Sequence, residues 1–467
     1  MEFSSLFFIL IYLPTFIGLM YFIKNNTIRN VVLLVASLLF YCLGDRQHFL
    51  ILILVFLVTY MAAFKVKKNK LVYTLYLIIV LAILSYFKYG DYLLTSLGAY
   101  LKNPDLSKII MPLGISFYTF LSISYVSDVY YDKYDHEKNP QYILMFLTFF
   151  PVVISGPLIR YDKFKLFIEK KDINTDGVSS GLRRFIIGLA KKVIIANQLN
   201  VISSTIISDD AKISMPLAWL AIITYGIQEY YDFSGYSDMA IAIGQMIGFE
   251  IPENFNNPYF SHSIREYWRR WHMSLGAFIR DYIYIPLGGN RKGKFRKALN
   301  MLIALTISGI WHGSTLPFLL WGLINGLLEA LDAYFDGYAS LKQKLKINDQ
   351  TKLWKAFQIL RTAFIAIVLK AYAFKCASLD QISKLFMASI GKGETFNMFY
   401  IRGLDILYVL IILVIGIILL FPSIKGRLLA LEGKAPVVYD VVLLCLCVLS
   451  IVLIVSGSYA SFVYFQF

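Results

Sequence analysis

One histidine interrupts an otherwise apolar stretch of the sequence. His312 lies between the apolar runs 302–311 and 315–321, and it directly follows Trp311. A buried histidine favours its neutral form, which is able to take a proton from an attacking hydroxyl group. The alternative is a core histidine bonded to a backbone carbonyl, and the sequence leaves both interpretations open. Residues that allow close approach or break a helix surround it, namely Gly309, Gly313 and Pro317.

The other four histidines fall into two groups. His48 and His136 occur in polar loops, and no role is predicted for either. His262 and His272 belong to a segment rich in arginine and tryptophan. On one continuous helix, a single face would carry His262, Arg265, Arg269 and His272. Such a helix either handles a substrate or simply lies in a membrane interface.

Three arginines of this region are candidates for binding an anionic group of a substrate. A guanidinium group is always charged and presents a planar fork of donors that suits phosphate and carboxylate groups. These arginines are Arg269, Arg270 and Arg280.

Two carboxylates occur in a tyrosine-rich motif over residues 230–238. Asp232 and Asp238 are six residues apart, so they do not share a face of one helix. One or both are candidates for capping an apolar helix that follows. In the alternative, Asp232 and Tyr236 bind substrate together with Trp311. The tyrosines of the motif suit a sugar-binding surface as well as an aromatic belt at a membrane interface.

Other patterns of chemistry are missing from the sequence. It contains no Gly-rich phosphate loop, Gly-x-Ser-x-Gly elbow or HExxH motif. The four cysteines have no metal-ligand spacing, so neither a metal site nor a disulfide framework is predicted. The serines nearest to His312 that could serve as nucleophiles are Ser308 and Ser314.

The composition indicates a membrane protein. The chain of 467 residues is 58% hydrophobic and only 16% charged, and its mean hydropathy is +0.62. Apolar runs extend from residue 6 to residue 463, which predicts one membrane domain over residues 1–467. The net charge of +15 comes from short loops between apolar runs, so it favours contact with membrane lipid and not with nucleic acid.

The apolar runs predict an all-α integral membrane fold. A helix needs about 20 apolar residues to cross a bilayer. Ten candidate spans are roughly 6–23, 30–43, 47–65, 71–88, 109–130, 180–199, 214–230, 357–374, 403–421 and 437–463. Further embedded material is expected at 141–158, 234–249 and 298–331. The prediction is about ten to twelve transmembrane helices with re-entrant pieces.

The positions of lysine and arginine predict the orientation. Basic loops tend to face the cytoplasm, which places 24–30, 65–70, 131–140 and 291–297 inside. The turn near Gly44 and residues 89–108 are then outside. A complete crossing by 141–158 would place the basic stretch 160–171 outside, against the rule. A re-entrant hairpin over 141–158 resolves this conflict.

Several motifs, taken in order, resemble those of one enzyme family. The main ones are residues 231–238 (YDFSGYSD), 267–275 (YWRRWHMSL), 285–290 (IPLGGN) and 308–313 (SGIWHG). Residues 30–41, 112–120 and 156–160 are similar too. The chain is identified by them as a member of the membrane-bound O-acyltransferase superfamily, in its bacterial alginate O-acetyltransferase-like branch. The resemblance covers most of the chain, with a core at about 110–330, and fades after about residue 375.

This resemblance implies a fold, a reaction and a site. The fold would be a ring of helices around a central tunnel through the inner membrane of a bacterium. The enzyme would move an acetyl group from cytoplasmic acetyl-CoA, a co-substrate and not a bound cofactor, to hydroxyl groups of an exported or cell-surface polysaccharide. The family's invariant histidine falls on His312, and its second polar position falls on His272. Transfer would be direct or would pass through a separate extracytoplasmic SGNH-type acetyltransferase.

Two alternatives remain at the level of the sequence. A teichoic acid D-alanyl transfer protein of the same superfamily shares the segment 271–275 (WHMSL), but the intact run 285–291 favours the O-acetylation branch. A polysaccharide transporter without chemistry would show paired halves with matching interrupted helices. The sequence contains no convincing internal repeat.

Overall fold

The computed structural model describes residues 1–101, 109–208, 213–335, 351–376, 378–394 and 406–457. In these ranges the regular structure is helical, and the extended pairing is one isolated bridge between Phe255 and Trp271. The predicted all-α class is confirmed. The α-helices are α1 Leu13–Phe22, α2 Asn26–Gly44, α3 Phe49–Val66, α4 Lys70–Leu101, α5 Ile115–Tyr130, α6 Pro140–Thr148, α7 Phe150–Val153, α8 Tyr161–Glu169, α9 Thr175–Ala190, α10 Asn197–Ile206, α11 Met215–Met246, α12 Ile264–Arg270, α13 Met273–Ile279, α14 Gly293–His312, α15 Leu316–Tyr334, α16 Lys352–Lys370, α17 Leu379–Met387, α18 Ile406–Leu420, α19 Pro422–Lys434 and α20 Pro436–Val455.

Several of these helices are extended by a wider π-helical turn. Such turns leave the backbone hydrogen-bonded but shift the register of the side chains, and they are frequent at functional sites. The π-helical turns are Phe8–Tyr12 before α1, Lys191–Ala196 between α9 and α10, Arg280–Tyr284 after α13, Ala371–Lys375 after α16 and Ala388–Lys392 after α17. Phe374, in the turn Ala371–Lys375, contacts the site described below.

Seven helices in the described ranges are long and apolar enough to cross a membrane. An eighth is counted if Leu407–Leu420 and Pro422–Lys434, which meet at 81°, form one broken span. Helix α20 has a mean hydropathy of 2.9, and only 17% of the residues in its most apolar stretch are buried. Most of its surface is therefore suited to contact lipid. The chain is an integral membrane protein. The larger count of ten to twelve and the ring around a tunnel stay predictions.

The chain divides into two compact units, and the predicted single domain stays a prediction. The first unit comprises Met1–Leu189 and Tyr236–Glu253, and the second comprises Ala190–Gly235 and Asn254–Phe467. The first has an aromatic core at the N-terminus, where the ring of Phe3 lies 5.6 Å from that of Phe40 and 4.8 Å from that of Tyr236. The second unit contains His272 and His312.

The tyrosine-rich motif lies inside one long helix and not at a helix end. Residues 214–230 and 234–249 were expected as separate pieces, but α11 runs unbroken through both. The predicted capping role of Asp232 and Asp238 is therefore wrong. Each carboxylate is neutralised by a basic partner instead: Asp232 by Lys192 in the second unit, and Asp238 by Arg184 at 2.7 Å in the first.

The segment 141–158 has the geometry that a re-entrant hairpin requires. Helix α6 ends at Thr148, and the short α7 carries Pro151 in its first turn. The two ends of the segment meet, because the Tyr161 hydroxyl donates to the Glu137 carboxylate at 2.9 Å. The contact brings the two ends of the segment together, and the re-entrant path across the membrane stays a prediction.

Two predicted features extend beyond the described residues. Residues 102–108 of the expected outside loop lie outside them, and so does the end of the span predicted at 437–463. Within the described part, α4 continues to Leu101, well beyond the predicted end at residue 88. The span predicted at 109–130 begins only at Ile115, after Gly114 in a left-handed conformation (φ 70°).

Candidate functional site

His312 is the last residue of α14 and is buried, with 5% of its surface exposed. Gly313 follows in an extended conformation, so the helix ends at the histidine. Aromatic rings surround the imidazole: its centroid lies 4.5 Å from Trp311, 5.2 Å from Trp321 and 5.0 Å from Phe374. The latter two rings meet it edge to face. The imidazole therefore has a fixed orientation in a low-dielectric environment, which favours its neutral form.

Close packing of α14 against α15 fixes the position of His312. A Cβ atom at Gly309 would lie 2.5 Å from the carbonyl oxygen of Phe318 and 2.7 Å from the Cα of Gly322. The two helices therefore approach backbone to backbone, as small residues permit in membrane proteins. This contact is one turn before His312, and it brings Trp321 against the imidazole.

The continuous helix that would carry His262 and His272 on one face is not formed, so this prediction is wrong. Helix α12 ends at Arg270, Trp271 is extended, and His272 has a left-handed backbone with φ 47° before α13 begins. The extended strand-like segment at 254–256 causes the break, because Asn256 donates to the carbonyl of Arg270 at 2.9 Å and Met273 donates to that of Asn254 at 2.9 Å. His272 therefore does not share a helix face with Arg269.

The side chain of His272 is buried, and the amide of Asn254 orients its ring. Its Nδ1 lies 3.1 Å from Oδ1 of Asn254, which also accepts from the backbone N–H and the hydroxyl of Ser274. Nδ1 is then the donor, and the lone pair of the neutral ring lies on Nε2. Burial, with a smaller contribution from the Lys370 charge, lowers the pKa of His272 to about 3. His272 is therefore neutral at physiological pH.

Two side-chain connections place both histidines in one neighbourhood of the second unit. Trp268 of α12 meets the ring of Trp321 edge to face at 5.3 Å, and Trp321 in turn meets His312. Independently, the segment after α16 places Phe374 against His312, one turn beyond Lys370. His312 and His272 thus share a common set of supporting helices.

The three candidate arginines have different surroundings. Arg270 pairs with Glu266 at 2.6 Å, and Arg280 pairs with the adjacent Asp281 at 2.8 Å. Arg269 is exposed, and its charge interacts with the buried carboxylate of Glu329 over a longer distance than an ion pair. Of the three, Arg269 has the guanidinium group most available to an anionic ligand.

The remaining candidates are packed. Trp311 is buried and contributes one wall to the surroundings of His312. Asp232 is buried in its ion pair with Lys192. Tyr236 belongs to the first unit, where its ring stacks on Phe3 at an interplanar angle of 12°. These contacts describe structural roles for Asp232 and Tyr236, and their predicted substrate contacts stay predictions.

The sequence did not draw attention to a second buried charge pair. Lys370 and Glu229 are each 2% exposed at the side chain and lie 3.1 Å apart. The available signal was a lysine inside the apolar run 357–374, which is as costly as the histidine at residue 312. In the part of the chain that is described, no group of three or more His, Cys, Asp or Glu side chains is placed to hold a metal ion.

The residues that surround His272 and His312 match a known protein family. The model of the membrane-bound O-acyltransferase family matches residues 135–374, which include both buried histidines and the π-helical turn after α16. This match extends over more than half of the chain.

Individual relatives match over longer stretches. The chain is 33% identical to a protein of Pseudomonas putida named probable alginate O-acetylase AlgI, over 100% of both chains. It is 32% identical to the peptidoglycan O-acetyltransferase of Helicobacter pylori, over 70% of this chain and 69% of that one. With the teichoic acid D-alanyltransferase of Bacillus subtilis it shares 29% identity over 52% of this chain and 65% of that one. The protein is thus a multi-pass membrane enzyme, an O-acyltransferase, and it belongs to the membrane-bound O-acyltransferase family.

Proposed function

We propose that this enzyme transfers an acetyl group from cytoplasmic acetyl-CoA to hydroxyl groups of an exported or cell-surface polysaccharide, at the inner membrane of a bacterium. The observation that carries the proposal is His312, a buried imidazole held among aromatic rings at the end of α14. It lies within the residues that match the family model.

His312 would act as a general base. Its neutral imidazole takes the proton of the acceptor hydroxyl as the hydroxyl oxygen attacks the thioester carbonyl of the donor. The carbon–sulfur bond breaks, the acetyl group becomes an ester of the acceptor, and the leaving sulfur takes the proton back from the imidazolium. The low-dielectric surroundings keep the resting imidazole neutral, and the neutral imidazole is the form that accepts the proton.

Supporting roles follow from the positions of the neighbouring groups. His272, with its lone pair on Nε2, is suited to accept a hydrogen bond and so to orient the donor or the acceptor. Arg269 is suited to bind an anionic group of the donor, because its guanidinium is exposed. Arg270 and Arg280 would contribute charge to the same region, although each is already paired with a carboxylate.

The acetyl group is preferred to D-alanine as the transferred group because of the extent of the similarity. Relatives named O-acetylase or O-acetyltransferase align over 70% to 100% of this chain, whereas the D-alanyltransferase of Bacillus subtilis aligns over 52%. The acetyl group would reach the glycan directly or through a separate extracytoplasmic SGNH-type acetyltransferase.

The experiment replaces the proposed base. His312→Ala and His312→Gln should each reduce acetylation of the polymer by about 10²–10⁴-fold, because neither side chain can accept the proton. Both variants should still insert and accumulate in the membrane. Acetate released from the purified polymer by mild alkali gives the acetyl content, and His136→Ala, in a polar loop, is the control that should match the wild type.

Three outcomes separate this proposal from its rivals. Unchanged acetate release in both His312 variants would mean that His312 is not the base. Release of D-alanine instead of acetate from the wild-type polymer would favour the D-alanyl transfer reaction. A loss of polymer export in His312→Ala, in place of export of unacetylated polymer, would favour a transporter.

A further inference from the structure

Lys370 is a fully buried lysine near the end of a membrane-spanning helix. Its ammonium group is 3.1 Å from the carboxylate of Glu229 on α11, and both side chains are 2% exposed. A buried ion pair is commonly no more stabilising than a well-packed apolar pair of similar volume, since both charges lose their hydration. Packing alone therefore does not account for a lysine at this position.

The ammonium group of Lys370 also contacts two aromatic rings of the second unit. It lies over the indole of Trp271 and 5.5 Å from the ring centroid of Tyr267. Those two rings are stacked at 5.7 Å with an interplanar angle of 17°. A cation over an aromatic face is attracted to it, and the attraction grows when the cation is desolvated. Glu229 thus holds the cation on one side and the aromatic pair holds it on the other.

Trp271 directly precedes His272, where the backbone has the left-handed conformation of φ 47°. A non-glycine residue in that conformation is strained, and it persists only when the surroundings over-determine it. Several contacts do so here, and they include the rings of Phe233 against His272 and of Phe255 against Trp271. The backbone of 254–256 pairs with that of 270–273, and the cation fixes the indole of Trp271. Loss of the cation would remove one of these constraints on the turn.

We propose that Lys370 is a positioning residue for acyl transfer: Glu229 holds its ammonium group against Trp271, and this contact fixes the turn that presents His272. The inference rests on the proposed function, because the turn at His272 matters for catalysis only if the enzyme carries out acyl transfer. The same segment of chain places Phe374 against His312, so one element supports both histidines.

The test compares four variants in membrane vesicles that contain the polymer, with radiolabelled acetyl-CoA as the donor. Lys370→Met removes the charge but keeps the length of the side chain. Lys370→Arg keeps a cation that stacks on an indole, and Glu229→Gln removes only the counter-charge. Lys375→Met is the matched control, because Lys375 belongs to the same segment but bonds to Asn200 and Ser204 instead.

A positioning role predicts a fall in kcat without a change in donor affinity. Misplacement of a catalytic group by about 1 Å can cost on the order of 10²-fold in rate, so we expect kcat of Lys370→Met to fall by about 10- to 100-fold. The KM for acetyl-CoA should stay within about twofold, because uniform binding is not affected. Lys370→Arg should recover most of the rate, Glu229→Gln should lose about tenfold, and Lys375→Met should match the wild type.

Each contrary result has one meaning. Wild-type kcat in Lys370→Met overturns the inference, and so does a loss confined to KM. If Lys370→Met does not accumulate as folded protein, Lys370→Arg and Glu229→Gln test the inference in its place. Wild-type kcat in Glu229→Gln, or no activity in a folded Lys370→Arg, overturns it as well. His312→Ala is measured alongside: if it remains active, the proposed function fails, whereas an inactive His312→Ala beside a fully active Lys370→Met rejects only the role of Lys370.

Discussion

The arginines near the buried histidines differ in how far their charges are already neutralised. Arg270 and Arg280 each form an ion pair with a carboxylate, whereas Arg269 is exposed and its charge interacts with the Glu329 carboxylate over a longer distance. We therefore expect Arg269→Ala to raise the KM for acetyl-CoA by about fivefold, since an exposed charge contact is worth roughly 1 kcal/mol. The kcat should stay near the wild-type value, as it does when uniform binding is lost.

The control for this prediction removes the same charge elsewhere. Lys292→Ala loses one exposed positive charge just before α14, so any general effect of charge on the donor concentration near the membrane would appear there too. Steady-state rates at a series of acetyl-CoA concentrations give both constants. Equal values of KM in Arg269→Ala and Lys292→Ala would mean that Arg269 does not bind the donor.

The lowered pKa of His272 predicts a pH dependence of stability. A histidine with a pKa of about 3 in the folded state and about 6.5 in the unfolded state binds more protons when unfolded. The folded state therefore loses stability as the pH falls below about 6.5, and the loss from this residue between pH 7 and pH 5 is about 2 kcal/mol. His272→Gln, which can still donate to Asn254, should remove that part of the dependence.

Thermal unfolding in detergent measures this effect. The midpoint temperature of the wild type should fall more steeply between pH 7 and pH 5 than that of His272→Gln. Between pH 7 and pH 8, where His272 is neutral in both states, the two proteins should have parallel midpoints. Parallel curves over the whole range from pH 5 to pH 8 would show that His272 is not held neutral by the fold.

At the scale of elements, the contact between α14 and α15 is the one that positions His312. Gly309→Ala would place a methyl group 2.5 Å from the carbonyl oxygen of Phe318, and backbone atoms cannot move aside as a flexible side chain can. We expect the helices to separate, with a loss of about 1–3 kcal/mol in stability and a fall in kcat. Acetylation per folded protein and the midpoint of thermal unfolding report the two effects.

A glycine with open space provides the control. Gly18 of α1 has no atom within 4 Å of an added Cβ, so Gly18→Ala should be neutral or slightly stabilising, because alanine favours a helix. Gly322→Ala, which meets the same contact from the other helix, should behave like Gly309→Ala. If both glycines of the contact tolerate alanine without any loss of rate or stability, close approach of these helices is not needed.

The helices themselves could be predicted from the sequence because bilayer-length apolar runs have few alternatives. The choice of His312 from an apolar stretch rests on the same physics, the cost of burying an ionisable group. The break at Trp271 could not be predicted, because it depends on pairing with residues 254–256, which no local pattern encodes. The same limit explains Asp232, whose partner Lys192 is 40 residues away in sequence and appears only when the helices pack.

At the scale of the whole molecule, loops assigned to the same side of the membrane lie together. Lys68, in a loop predicted to be inside, pairs at 2.9 Å with Asp132, in another loop predicted to be inside. Asp45, in the turn predicted to be outside, accepts a hydrogen bond at 2.8 Å from the backbone of Leu113, which follows the segment 89–108 that is also predicted to be outside. Both contacts agree with the sidedness that the basic residues predict.

The orientation itself can be tested at two exposed positions. Arg46 lies in the turn near Gly44 and is predicted to be outside, whereas Lys68 is 75% exposed at its side chain and is predicted to be inside. In a background without the four native cysteines, a membrane-impermeant maleimide added to spheroplasts should label Arg46→Cys and spare Lys68→Cys.

Inside-out vesicles should give the reverse pattern, and permeabilised membranes should label both, which controls for access. Labelling of Lys68→Cys in intact spheroplasts, with Arg46→Cys protected, would invert the orientation. The donor would then have to reach the buried histidines from outside the cell, where acetyl-CoA is not available. The topology is therefore a premise of the proposed reaction, and this inversion would reject cytoplasmic acetyl-CoA as the donor even if His312 proved essential.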